Sequence, residues 1–293
     1  VSIEGGPAIS VILDYDGFVH DDVRVSPARG AHSPMMGSVT ALAVAALDPR
    51  MVARAGGSLQ VSDDMGRTWA VLKNGPVEKA SGGSLAWSAD GEVLLWSPSR
   101  ANGVWRSTNR GLTWAKATGP EFAGRVYADA VNPRRFYLYH WSSGQFWASN
   151  DGGVSFQVVS ELVKRASDIL RMVPRREGHL WMAQNSAGLH RSRDGGKTFE
   201  RVDGVEVANA VGLGKAAPGR DEDTVFIWGR AGGGKPGVYR STDSGATWLR
   251  VTDDAHQYGG MANGQFVVGD RNVFGRVYMS TAGRGIAYGE PAP

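Results

Sequence analysis

The sequence predicts an all-β fold, a β-propeller with Asp-box (BNR) repeats and six to seven four-stranded blades, and three observations carry that expectation. A pattern S-x-D-x-G-x-T-W occurs five times, opening at Ser62, Ser107, Ser149, Ser192 and Ser241. The steps between copies are 45, 42, 43 and 49 residues, a period at which self-similarity marks propellers or solenoids. Between the copies, short apolar runs alternate with turn residues, and 41 glycines and ten tryptophans among 293 residues suit a glycine-turned sheet protein with a real core. One domain spanning 1–293 is expected.

The repeated pattern is an Asp-box. Asp64, Asp151, Asp194 and Asp243 fill its acidic position, Asn109 replaces the acid once, and Trp69, Trp114, Phe156, Phe199 and Trp248 close it. A short carboxylate or amide caps backbone N–H groups in a tight turn, and the glycine two positions later takes a positive φ without steric penalty. The aromatic starts the return strand and fills the seam between neighbouring sheets. Regular repetition is what a scaffold needs, so these acids are read as turn caps and not as catalysts.

Taken in order, Val39 to Leu47, Met51 to Ala55, Ser58 to Ser62 and Thr68 to Leu72 spell one blade, with Asp48-Pro49-Arg50 as its first turn. The same arrangement recurs from Leu85 to Ala115, Val126 to Ser160 and Ile169 to Val202, and, with a longer insert, from Val207 to Val251. The tail offers three strands, Gln265 to Val268, Arg276 to Ser280 and Gly285 to Tyr288. Ala8 to Leu13 is the apolar strand expected to complete that last sheet, which makes six blades with one shared. In an up-and-down blade the first and third turns lie at one end. The boxes, as third turns, therefore mark the end opposite the variable loops, where binding usually sits. Trp96 to Asn102, His140 to Ser143, Gln184 to Ser186, Gly229 to Pro236 and Thr252 to Asn263 fall on that second end.

Charge and composition exclude several classes. The 32 basic residues against 29 acidic ones leave a formal charge of +3 with no basic patch, so nucleic acid is not an expected partner. The longest apolar stretch, near Val39 to Leu47, is too short to span a bilayer, so no membrane partner is expected. There is no cysteine, hence no disulfide framework or thiolate metal site, and the redox compartment stays open. No His or carboxylate cluster has metal-ligand spacing; no metal or cofactor is expected. The chain opens at Val1 without methionine, which favours a piece of a longer polypeptide.

Several strings resemble the xyloglucanases of glycoside hydrolase family 74, over nearly the whole chain. They are Asp253-Asp254-Ala255-His256-Gln257-Tyr258-Gly259, Gly275-Arg276-Val277-Tyr278, Gly283-Arg284-Gly285-Ile286, Gly212 to Pro218 and Ala128 to Pro133. Members of that family carry two tandem seven-bladed propellers with the substrate cleft between them, and the chain resembles the second propeller. The resemblance implies hydrolysis of the β-1,4-glucan backbone of xyloglucan, or a related β-glucan, with inversion. Each propeller gives one aspartate, so a second, N-terminal propeller is expected as partner. The second propeller's acid lies in a motif like G-D-I-G-G-F-R-H-D-D-L. Leu13-Asp14-Tyr15-Asp16-Gly17-Phe18-Val19-His20-Asp21-Asp22-Val23 matches it and puts Asp14 on the acid's position.

Departures stand at Leu13, Tyr15, Asp16 and Val19, where the pattern has small, apolar, glycine and arginine residues. Asp16, with Asp21 if it folds back, is expected to raise the pKa of Asp14 by like-charge repulsion, and Tyr15 and Phe18 to do so by desolvation. Tyr15, Phe18, His20, Asp21, Trp96, Trp141 and Tyr258 are the candidate substrate-binding residues. For Trp96, Trp141 and Tyr258, packing between blades is the alternative; for His20, a satisfied pairing; Asp22 reads as a turn cap. A secreted, extracellular location is expected. The competing functions are a non-catalytic glycan-binding propeller and another Asp-box propeller, sialidase-like or protein-binding. Against the sialidases, the chain has no Arg-Ile-Pro motif.

Overall fold

The structure is a computed structural model that describes residues 1–13, 15–255, 264–282 and 285–291. Strands β1 (Ala8–Ile9) and β2 (Val19–His20) form a short hairpin. Four-stranded antiparallel blades follow. The first comprises β3 (Ala41–Val44), β4 (Val52–Ala55), β5 (Leu59–Ser62) and β6 (Ala70–Leu72). The second has β7 (Ser84–Trp87), β8 (Leu94–Ser97), β9 (Trp105–Ser107) and β10 (Ala115–Lys116). The third has β11 (Val126–Ala128), β12 (Phe136–Tyr139), β13 (Gln145–Ser149) and β14 (Gln157–Glu161). The fourth has β15 (Leu170–Met172), β16 (Leu180–Ala183), β17 (Leu189–Ser192) and β18 (Glu200–Arg201). The fifth has β19 (Val205–Gly214), β20 (Thr224–Ala231), β21 (Gly237–Ser241) and β22 (Leu249–Arg250). The last sheet has three strands, β23 (Val267–Gly269), β24 (Val277–Ser280) and β25 (Ile286–Gly289). No helix occurs among the described residues, and the fold class is the β-propeller.

The chain divides into two compact units, one mainly 6–162 and the other mainly 163–293. In the first unit, small residues on the inner strands of the first blade (Ala41, Ala43, Ala53 and Ala55) let the second blade approach, and Leu85, Trp87, Leu94 and Trp96 fill the seam. Ala86, Leu95, Val126, Phe136 and Leu138 continue that packing into the third blade. In the second unit, Trp181, Leu189, Val211, Ile227 and Tyr239 join the fourth and fifth blades. Phe226, Trp228, Val267, Val277 and Met279 join the fifth to the last sheet. Apolar side chains on both faces of each sheet are what stacking blades require.

Three of the Asp-boxes bond directly to the first turn of their own blade, the side the strand register predicts. Met65 N–H donates to Arg50 O in the first blade, Gly152 to Arg134 O in the third and Gly195 to Gly178 O in the fourth. The box geometry is constant. Ser62 Oγ accepts the Gly66 N–H and donates to Asp64 Oδ1, 2.8 and 2.7 Å. Asp64 then accepts the N–H groups of Arg67 and Thr68 and, on its other oxygen, the Thr68 hydroxyl. Asp151 and Asp194 repeat this arrangement, and Asn109 keeps the Thr113 contacts with an amide. Partial burial works against the charge of Asp64, but these hydrogen bonds together hold its carboxyl below the ordinary aspartate value.

A second cap repeats at first turns. Asp129 accepts the N–H groups of Val131 and Asn132 and the Tyr137 hydroxyl. Asp270 does the same with Asn272, Val273 and Tyr278. The spacing, acid to tyrosine eight residues on, was open to reading at both places in the sequence.

The N-terminal segment departs from expectation. Ala8 and Ile9 pair with His20 and Val19, so they do not complete the sheet of β23 to β25. The reason is local: Gly17 turns the chain back, and Ser10 and Phe18 exchange backbone hydrogen bonds of 2.9 and 3.2 Å. The sheets among the described residues therefore number seven, where a count of six with one shared was expected. The hairpin takes the place of a blade before the first box. Gly111 and Gly153, the glycines of the second and third boxes, each lie against a leucine of the preceding blade, Leu72 and Leu95. Gly66 of the first box lies against Ile9 of the hairpin.

Candidate functional site

The hairpin between Ser10 and Phe18 carries the acid motif, and Asp14 itself lies outside the described residues. The residues around it define its setting. Gly17 has φ 111°, and a Cβ there would stand 2.0 Å from the Ser10 carbonyl oxygen, so only glycine fits. Asp16 has φ 60° and is fully buried. Its Oδ2 accepts the Met36 N–H at 2.7 Å and Arg54 Nη1 at 3.0 Å, and its Oδ1 accepts the Gly37 N–H at 2.8 Å. Arg54, also fully buried, donates to Gln60 Oε1 and the Pro34 carbonyl, and its guanidinium lies 4.6 Å from the Trp69 ring centroid. Burial pulls the Arg54 pKa down and the Asp16 charge opposes that pull.

His32 closes the cluster. Its N–H donates to Gly17 O, its ring meets Trp69 edge-on, and Nε2 lies 3.0 Å from Ser10 O. Burial drives its pKa down to about 4. The ring is therefore neutral near pH 7, and a nitrogen facing a carbonyl must carry the proton, which fixes the Nε2–H form. None of this network was read from the sequence, because its members lie 20, 21 and 38 residues from Asp16.

Two expected neighbours of Asp14 are corrected. Asp16 brings no bare negative charge, since its carboxylate is matched by Arg54. Asp21 does not fold back: it leaves the far end of β2 and pairs with Arg67 of the first Asp-box, with Nη2 to Oδ1 at 2.6 Å. The Arg67 hydrogen bond holds the Asp21 pKa low. The desolvating wall is also thinner than expected, because Tyr15 is 66% exposed and Leu13 54%. Phe18 is half-buried beside His20. His20 shares a 3.2 Å contact between Nε2 and Ser10 Oγ, the satisfied pairing, and burial lowers its pKa. Asp22 accepts the Arg24 N–H, the turn-cap role.

The aromatic candidates separate. Trp96 is 1% exposed in the seam of the first two blades, tilted on Trp114, and its Nε1–H donates to Gly82 O. It is a core residue and offers no face to a sugar. Trp141 is 52% exposed on the loop between β12 and β13, the second turn of its blade and the end away from the box. Next to it, His140 stacks on Phe122 at 3.9 Å and meets the hydroxyls of Ser142 and Ser143. Tyr258, like His256, lies outside the described residues. No group of three or more His, Cys, Asp or Glu side chains among the described residues could hold a metal ion.

No protein-family model matches the chain. Over 297 residues it is 38% identical to a xyloglucanase of Acetivibrio thermocellus, a match taking in 99% of this chain and 34% of that protein. A glycoside hydrolase family 74 enzyme of Niastella koreensis, known from its crystal structure, superposes with a TM-score of 0.92. The two are 40% identical over 98% of this chain and 42% of that one. The family 74 xyloglucanase of Xanthomonas campestris superposes with a TM-score of 0.90 at 32% identity, over 100% of this chain and 42% of that one. The chain thus spans about a third of the length of the curated relatives it matches, and its similarity to family 74 runs from end to end.

Proposed function

We propose that this chain, a propeller of the family 74 type, is the acid-bearing half of an inverting endo-β-1,4-glucanase that acts on xyloglucan. Identity of 38% to a named xyloglucanase over 99% of the chain supports this reading. Asp14 is the proposed general acid: its carboxyl gives a proton to the departing glycosidic oxygen. A carboxylate of a second propeller, about 6.5–9.5 Å away across the scissile bond, takes a proton from the water that attacks the opposite face of the sugar. With Asp16 and Asp21 both ion-paired, the raised pKa an acid needs comes from desolvation, as substrate and the second propeller cover the hairpin. Trp141 is the proposed sugar platform on the described surface. Residues 1–293 are read as one propeller domain, and a secreted location goes with a polysaccharide substrate.

The reading is tested by comparing these 293 residues alone with the native polypeptide that contains them. The isolated chain is expected to bind xyloglucan oligosaccharides weakly and to hydrolyse them slowly or not at all, while the longer polypeptide releases products of inverted anomeric configuration. Robust turnover by the isolated chain would overturn the two-propeller reading.

A further inference from the structure

The β1–β2 hairpin has two strand pairs, Ala8 with His20 and Ile9 with Val19, extended by the backbone hydrogen bonds between Ser10 and Phe18. A ladder that short fixes a loop tip weakly. Beyond the His32 contacts to Gly17 O and Ser10 O, the tip is tied to the body of the unit by the Asp16 side chain. Asp16, in the left-handed region where the family 74 pattern has glycine, sends its carboxylate inward to Met36 N–H, Gly37 N–H and Arg54. Arg54 is in turn fixed by Gln60, the Pro34 carbonyl and the Trp69 face. Leu13 and Tyr15, the neighbours of Asp14 in sequence, stand in solvent.

We propose that the buried Asp16–Arg54 pair is a positioning device that sets the hairpin tip, and with it the proton donor, relative to the substrate. The inference rests on the assignment of Asp14 as acid. Asp16 has no exposed surface with which to meet a sugar, so it acts through the backbone on which it sits. Among the described residues from 11 to 17, Asp16 alone has a fully buried side chain, and it is charged. Its partner comes from the most buried strand of the first blade, β4, all four of whose residues are buried. That gives the tip a rigid reference which its own hydrogen bonds cannot supply.

The test uses the native polypeptide. Asp16→Gly restores the glycine of the family pattern, relieves the left-handed φ and leaves Arg54 two acceptors, Gln60 and Pro34. Loss of positioning by about 1 Å costs up to about a hundredfold in turnover. The variant is therefore expected to melt cooperatively while kcat on xyloglucan falls about ten- to a hundredfold with little change in KM. An aryl glycoside with a good leaving group needs little protonation, so its hydrolysis should fall far less. Arg54→Lys, which keeps the charge, should recover part of the xyloglucan activity relative to Asp16→Gly. Unchanged kcat in folded Asp16→Gly overturns the proposal, as do equal losses on both substrates, the signature of lost folded protein. Asp16→Asn, which keeps an acceptor oxygen, is read by the same criteria if the glycine variant does not fold. If neither folds, the pair is a folding element and the positioning role falls. Asp14→Asn run in parallel separates the two readings. Full activity there removes the acid assignment itself, whereas an inactive Asp14→Asn beside a fully active Asp16→Gly removes only this inference.

Discussion

The first Asp-box and the hairpin tip use the same chemistry in opposite ways. In both, an aspartate accepts two backbone N–H groups together with side-chain donors, the Ser62 and Thr68 hydroxyls at Asp64 and the Arg54 guanidinium at Asp16. Asp64 finds all of its partners within four residues and remains partly exposed. Asp16 finds its partners 20 to 38 residues away and is buried with a full countercharge. The local cap closes one turn and can be repeated in every blade. The non-local one joins separate parts of the chain, and removing a member leaves a buried charge with no water to turn to.

The non-local cap is most vulnerable at Arg54. Arg54→Met strands the Asp16 carboxylate in the interior and should destabilise the protein by about 3–5 kcal/mol in denaturant unfolding, as loss of one partner of a buried pair does. A loss no larger than that of a surface substitution would show that the network is dispensable.

Acid should attack the two regions in different windows. His32 has a folded-state pKa of about 4 against an ordinary 6.5, so the unfolded chain binds the proton first. The stability this group contributes is fully present above about pH 6.5 and is lost, by about 1.4 kcal/mol per pH unit, as pH falls toward 4. The box carboxylates have depressed pKa values. Their contribution is present above the ordinary aspartate value of 3.8 and disappears only as pH falls below it. Thermal melts of wild type and His32→Gln between pH 7 and 3 check this: the upper slope should be absent in the variant and the lower one retained.

Asp64→Ala should be milder, about 1 kcal/mol, because the turn's donors are partly exposed and water replaces the lost acceptor. A loss as large as that at Arg54 would erase the distinction between local and non-local caps.

What could be read in the sequence follows the same division. The boxes, the strands between them and the side of each blade on which they lie were legible, since each depends on residues a few positions apart. The Asp129–Tyr137 and Asp270–Tyr278 caps were legible in principle by the same token. Three matters were not. Ala8 and Ile9 read as an apolar strand, but choosing β2 over the last sheet is a tertiary decision made by the turn at Gly17. Trp96 and Trp141 are both tryptophans near second turns; only packing shows one filling a seam and the other facing solvent. Asp16 read as a rival charge because nothing near it in sequence announces Arg54.

The proposed role of Asp14 as proton donor in a two-propeller xyloglucan hydrolase stands or falls on one substitution. In the native polypeptide, Asp14→Asn should cut turnover of xyloglucan by about two to four orders of magnitude, the range for losing a proton donor. Binding should persist, and an aryl glycoside with a good leaving group should lose far less. Equal losses on both substrates, or turnover of xyloglucan at the wild-type rate, would contradict the assignment.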